Sequence, residues 1–155
     1  MCIIITPDDV DIDYTNKTTF FLAGSIEMGN ARRWQDYITN IISRRKINTD
    51  KFVFFNPFKK YFDINIGNTI KDKYFNNQVS WEWDKLESCD YIIFNFEPNT
   101  KSPISLLELG AYCRSGKIKV VCCPPEFWKF GNVEFICNRY KIPLVKNLED
   151  IQNYV

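Results

Sequence analysis

Short apolar runs alternate with longer stretches in which apolar residues return every three or four positions. Thr18-Thr19-Phe20-Phe21-Leu22-Ala23, Phe52-Val53-Phe54-Phe55, Asp90-Tyr91-Ile92-Ile93-Phe94-Asn95-Phe96 and Ile118-Lys119-Val120-Val121-Cys122-Cys123 are apolar almost throughout. Such runs suit strands buried on both faces. Ile142-Pro143-Leu144-Val145 is a shorter fifth run, and its proline confines it to a sheet edge. Ile3 to Ile5 is a further candidate strand.

Between the runs, Trp34, Ile38, Ile41 and Ile42 recur at helical spacing after an Asn30 cap, with Arg32, Arg33, Arg44 and Arg45 on polar faces. A second helix is expected over residues 74–88, with Val79, Trp83 and Leu86 inward. Ser102 can cap a third, with Pro103 at its first position and Gly116 ending it in a left-handed conformation. Residues 133–139 suit a fourth, and 147–155 a short terminal one. Alternating strands and helices imply an α/β fold: a doubly wound, five-stranded parallel sheet with helices on both faces and right-handed crossovers. Ligands of such sheets bind beyond the carboxyl ends of the strands. Those ends are Gly24-Ser25, Asn56-Pro57, residues 95–105 and residues 123–131.

The 155 residues suit a single domain, 1–155. A net charge of +1 gives no reason to expect a nucleic-acid polymer as partner. No stretch is long enough to span a bilayer, and the amino terminus has no basic leader, so no membrane role is expected. Histidine is absent and the six cysteines lie in apolar runs without ligand spacing. That disfavours zinc and any Ser-His or Cys-His nucleophile, and neither a metal nor an organic cofactor is expected. The adjacent Cys122-Cys123 pair reads as small core residues in a reducing, cytoplasmic compartment. Acid–base work near neutral pH must then fall to carboxylates, Lys, Tyr or Cys.

Glu108 stands out, because Leu107, Leu109, Gly110 and Ala111 surround it in the second turn of its helix. Burying a lone carboxylate is expensive. One reading makes Ser105-x-x-Glu108 a capping box, or turns Glu108 to water. The other makes it a functional group, with Glu82 as its partner. Gln78 and Glu82 share one face of the preceding helix. Two carboxylates flanking a glycosidic bond are the basic equipment for breaking it. Gly24-Ser25-x-x-x-Gly29, with Ile26 in its loop, is a turn whose backbone donors can hold an anion or a sugar hydroxyl, or simply an ordinary strand–helix turn. Asn132 can cap the fourth helix or edge a pocket, and Phe127 and Trp128 can pack in the core, meet a neighbouring subunit or stack on a base. Residues 58–73 are either a lid or a surface insertion.

Residues 21–29, Gln78-Val79-x-Trp81-Glu82, residues 100–110 and Gly131-Asn132-Val133 together resemble the nucleoside 2-deoxyribosyltransferase-like family. Its members exchange bases on 2'-deoxynucleosides or hydrolyse deoxynucleoside 5'-monophosphates, and the resemblance implies a flavodoxin-like fold. It implies that Glu108 attacks C1' and forms a covalent deoxyribosyl-enzyme. Glu82 stands where the family carries an acidic residue, usually Asp, that exchanges a proton with the base. Ser102 stands where transferases often have Asp and monophosphate hydrolases Ser, while Glu27 stands where the hydrolases tend to have Arg, so the two positions point to opposite 5' groups. Gly24, Ser25, Ile26, Gln78, Ser102, Ser105 and Asn132 would bind substrate, Asn132 in a neighbouring subunit's site. The expected partners are a deoxynucleoside or deoxynucleotide, a free nucleobase and further copies of the chain, as a homodimer or higher homo-oligomer. The alternative is a non-catalytic nucleotide-binding protein of the same fold.

Overall fold

The computed structural model describes residues 1–26, 32–45, 48–59 and 65–155. Its strands are β1 (Ile3–Ile5), β2 (Thr18–Gly24), β3 (Phe52–Phe55), β4 (Tyr91–Asn95), β5 (Ile118–Cys122) and β6 (Leu144–Val145). They form one parallel sheet in the order β1-β3-β2-β4-β5-β6. The sheet therefore has six strands rather than five. The additional one is Ile3–Ile5, whose β-branched residues pair with Val53–Phe55 and cover what would otherwise be a long apolar edge.

Helices α1 (Trp34–Ser43), α2 (Lys73–Ser88), α3 (Pro103–Tyr112) and α4 (Phe130–Arg139) connect the strands. A 3-10 helix, Leu148–Tyr154, closes the chain. Strand residues divide by parity, as a pleated sheet requires. Phe20, Leu22, Phe54, Ile93 and Val120 meet Trp34, Ile38 and Ile42 of α1, together with Leu148 and Ile151. Phe21, Phe55, Ile92, Phe94 and Val121 meet Leu86 of α2, Leu109 of α3, and Val133 and Cys137 of α4. Trp81 and Trp83 of α2 pack against this second layer, Trp81 against the rings of Phe21 and Phe55.

Helix ends depart from expectation where local chemistry is overruled. Helix α1 starts at Trp34 with Arg33 in the cap position, and Asn30 lies outside the described residues. Asp72 caps α2 by accepting from the Phe75 amide at 2.9 Å. Ser102 does occupy the cap position of α3, with Pro103 next, but its side chain makes no cap bond. That hydroxyl is engaged elsewhere. Helix α3 stops at Tyr112, so Gly116, left-handed at φ +74°, shapes the turn into β5 instead of ending the helix. Helix α4 starts at Phe130, which puts Asn132 inside its first turn rather than at its cap.

Because β2 leads toward β3 on one side and β4 toward β5 on the other, the order reverses between β2 and β4. That reversal opens the crevice in which doubly wound sheets hold ligands. Gly24 and Asn95 are register partners at its base. A Cβ on Gly24 would lie 2.2 Å from the Asn95 carbonyl oxygen, so only glycine allows the two strands to meet there.

Candidate active site

Three buried hydroxyls converge at the crevice. Ser25 Oγ lies 2.8 Å from Thr100 Oγ1 and 2.5 Å from Ser102 Oγ, and Thr100 and Ser102 are 2.8 Å apart. Thr100 donates its proton to the Glu97 carbonyl at 2.9 Å, and Ser25 Oγ accepts from the Glu97 amide at 3.0 Å. Each hydroxyl has one proton, so at most two edges of the triangle can be hydrogen bonds at once. The Ser25 amide donates to the Asn95 carbonyl at 3.0 Å, and Trp34 Nε1 donates to the Ser25 carbonyl at 3.2 Å. The loop from β4 to α3 is thus tied to the end of β2, and Ser102 enters α3 left-handed at φ 48°. Such a non-glycine conformation costs of order 1 kcal/mol and persists only where surrounding contacts enforce it.

The tie aims the buried face of α3. Ser105 and Glu108, three residues apart, are buried on one face, while Ile104 and Leu107 are exposed on the other. Glu108 is the sixth residue of α3 and Ser105 the third, too deep in the helix for a capping box. Glu108 is 4% exposed, so it does not face water either. Its carboxyl group has no hydrogen-bond or ion-pair partner among the described residues. Burial, and then the nearby charge of Glu82, push its pKa up to about 8. Burial also raises Glu82, opposed by a hydrogen bond from Gln78 and by the positive charge of Lys59. Gln78 Nε2 donates to Glu82 Oε1 at 2.6 Å and to the Pro57 carbonyl, just past β3, at 3.2 Å. Two carboxyl groups of raised pKa, one from α2 and one from α3, therefore interact beside the carboxyl end of the sheet. Paired carboxyls whose environments alter their proton affinity are what acid–base and nucleophilic work on a glycosidic bond requires.

The sequence-selected residues fall into three groups. Glu82, Gln78, Glu108 and Ser105 supply the polar side chains of the α2 and α3 inner faces. Gly24, Ser25 and Ser102 build the wall, with the Ser25 amide and hydroxyl and the Ser102 hydroxyl engaged inside the protein. Ile26, half-buried, follows that wall, while Asn132 is exposed on α4. Glu27 and residues 60–64 lie outside the described residues. Phe127 is buried against Phe96. Trp128 is half-exposed, and its Nε1 donates to the Lys101 carbonyl at 2.9 Å.

Thr100, Glu97 and Pro57 were not selected from sequence. The first two form the hydroxyl tie and the third holds Gln78, and only their place at strand ends hinted at it. Burial pushes the thiols of Cys89, Cys122, Cys123 and Cys137 up to about 11 or 12, which makes them poor nucleophiles. No group of His, Cys, Asp and Glu among the described residues is arranged to hold a metal. An open depression lined by Asp13, Tyr14, Lys17 and Asp90 lies at the opposite, amino end of the strands. Its acidic side chains are occupied: Asp90 accepts from Thr19 and Asp13 from Thr15.

Residues 17–127 match the family model described as nucleoside 2-deoxyribosyltransferase like. The chain belongs to that family, which makes it a glycosyltransferase- or glycosidase-like enzyme by family. The match includes Glu82 and Glu108 and ends before Asn132. No curated protein matches the sequence. A crystal structure of a conserved protein from Enterococcus faecalis V583 has a similar fold, with a TM-score of 0.60 at 12% identity over 89% of this chain and 96% of that one. No helix among the described residues is long and apolar enough to cross a membrane.

Proposed function

We propose that the protein cleaves or exchanges the N-glycosidic bond of a 2'-deoxynucleoside or a deoxynucleoside 5'-monophosphate. Glu108, ionised, attacks C1' as the bond to the base breaks, through an oxocarbenium-like state, and a deoxyribosyl ester of Glu108 forms. The electron pair of the broken bond stays with the base, and Glu82 gives it a proton. A second base or a water then attacks C1', returns a proton to Glu82 and frees the Glu108 carboxylate. The two outcomes differ only in which acceptor meets the ester. The supporting observation is Glu108 itself: a carboxyl group buried without a hydrogen-bond or ion-pair partner among the described residues, raised in pKa by burial and by the charge of a second carboxyl. Neither capping nor solvation accounts for it.

Incubation with deoxynucleosides and deoxynucleoside monophosphates, with and without a second base, tests the reading. Free or exchanged base is expected. Glu108→Ala should fold and lose turnover by more than about a thousandfold, the scale on which removing a nucleophile acts. A quenched reaction should carry one deoxyribosyl group on the peptide containing Glu108. In the free protein kcat/KM should fall as pH climbs through about 8, where the carboxyl pair loses its last proton and Glu82 has none left to give the base. Substrate that binds but never turns over would instead make this a nucleotide-binding protein.

Asn132, exposed in the single chain, would reach a site only in a neighbouring subunit. Light scattering is expected to find a dimer or larger assembly, and a strict monomer would remove Asn132 from the reading. All six cysteines are free, which fits a reducing cytoplasmic compartment.

A further inference from the structure

We propose that Gln78 is a positioning residue whose side-chain amide, locked in one orientation by the Pro57 carbonyl, holds the Glu82 carboxyl in place by a donated hydrogen bond instead of touching substrate. The proposal rests on the reading of Glu82 as the group that exchanges a proton with the base. A glutamine amide can normally turn over and offer either its NH2 or its oxygen. Here it cannot do so without loss. Nε2 spends one proton on the Pro57 carbonyl at 3.2 Å and the other on Glu82 Oε1 at 2.6 Å. A backbone carbonyl only accepts, so turning the amide would press Oε1 against the Pro57 oxygen. The locked amide can therefore only donate to Glu82, and donation favours the ionised form. The separation of 2.6 Å is short even for a charge-assisted bond.

An unpaired atom marks the cost of this arrangement. Gln78 Oε1 is buried and has no hydrogen-bond partner among the described residues. The other charged group acting on Glu82 is Lys59, which also favours the carboxylate, and the charge of Glu82 acts in turn on Glu108 of α3. Without Gln78, Lys59 alone would offset the burial of Glu82. Glu82 would then keep its proton to higher pH, and its charge would no longer act on Glu108 as early in the titration.

The test is a carbon-13 titration of side-chain carboxyls in protein labelled at glutamate, with the Glu82 signal assigned by its loss in Glu82→Gln. Gln78→Met keeps the length of the side chain and removes the donor. Gln78→Glu keeps the shape and replaces the donor by an acid. In both, the Glu82 midpoint should rise by about one pH unit or more. In the unaltered protein, the Gln78 side-chain NH2 signals should move in step with Glu82, a readout that stands even where a variant fails to fold. A Glu82 midpoint unmoved in folded variants, or Gln78 signals indifferent to the titration, would overturn the proposal. None of these readouts needs turnover, so failure to find a substrate sinks the glycosidic reading and leaves this one standing. Where turnover is found, Gln78→Met should lower kcat tenfold or more and shift the acid limb of the pH profile, with KM within about threefold of the parent value. A rise in KM with the profile unmoved would make Gln78 a substrate contact and overturn the positioning role.

Discussion

The two faces of the sheet are built from the same strands and have opposite characters. On one, Trp34, Ile38 and Ile42 of α1 are wholly buried, and no carboxylate among the described residues is buried in the layer. On the other, α2 and α3 bring Glu82 and Glu108 into an apolar layer that contains Phe21, Phe55 and Leu109. The first face is the more apolar seal, although α1 also buries Gln35 Nε2 without a hydrogen-bond partner among the described residues. The second accepts carboxyl groups where methyl groups would be more stable, and a fold keeps such a cost where chemistry needs it. The difference marks the α2–α3 face as the one that the proposed function would use.

The comparison can be broken most forcefully from the sealed side. Trp34→Ala should cost roughly 5 kcal/mol, combining a large cavity with a Ser25 carbonyl left without its indole donor. Urea unfolding reads this directly, and a cost near 1 kcal/mol would show that the α1 face is no more tightly built than the other.

Glu108→Gln should act in the opposite direction. The folded pKa of about 8 lies above the ordinary glutamate value of 4.5, so the folded state holds the extra proton. Stability then falls as pH rises from about 4.5 to about 8 and levels off above that. The variant lacks this slope. It should match the parent near pH 4 and exceed it by up to roughly 4 kcal/mol near pH 9. A parent stability that stays flat over that interval would mean Glu108 is not buried as described.

The smallest effect sharpens the picture of how the two faces communicate. Ser25→Ala removes the hydroxyl shared by Thr100, Ser102 and the Glu97 amide. It should cost about 1 to 2 kcal/mol by thermal unfolding. It should also lower activity more than that loss of stability explains, because the loop that starts α3 is released. Equal losses in both would make the hydroxyl triangle a local fastening only.

Much of this was legible in the residues. Phe52–Phe55 and the run around Ile92 could be little but buried parallel strands, and Glu108 among leucines called for an explanation, with capping or exposure to water still open. Other features were not. Ile3–Ile5 could be read as a candidate strand but was too short to be counted in the sheet, which it joins by pairing with β3. Ser102 looked like a simple cap, but its hydroxyl turns to Ser25, seventy-seven residues away in sequence. Asn132 also has the chemistry of a cap, yet packing of Phe127 and Val133 starts α4 earlier.

Sequence by itself determined the periodicities, the class of fold and the presence of one carboxylate that needed an explanation. Those follow from local chemistry, since a side chain's preference for strand, helix or water is its own property. Tertiary structure decided which carboxyl groups interact, which way the Gln78 amide faces and which hydroxyls are already engaged. Such matters depend on neighbours supplied by distant segments, and the dielectric and partners around a group exist only once the chain has closed over it.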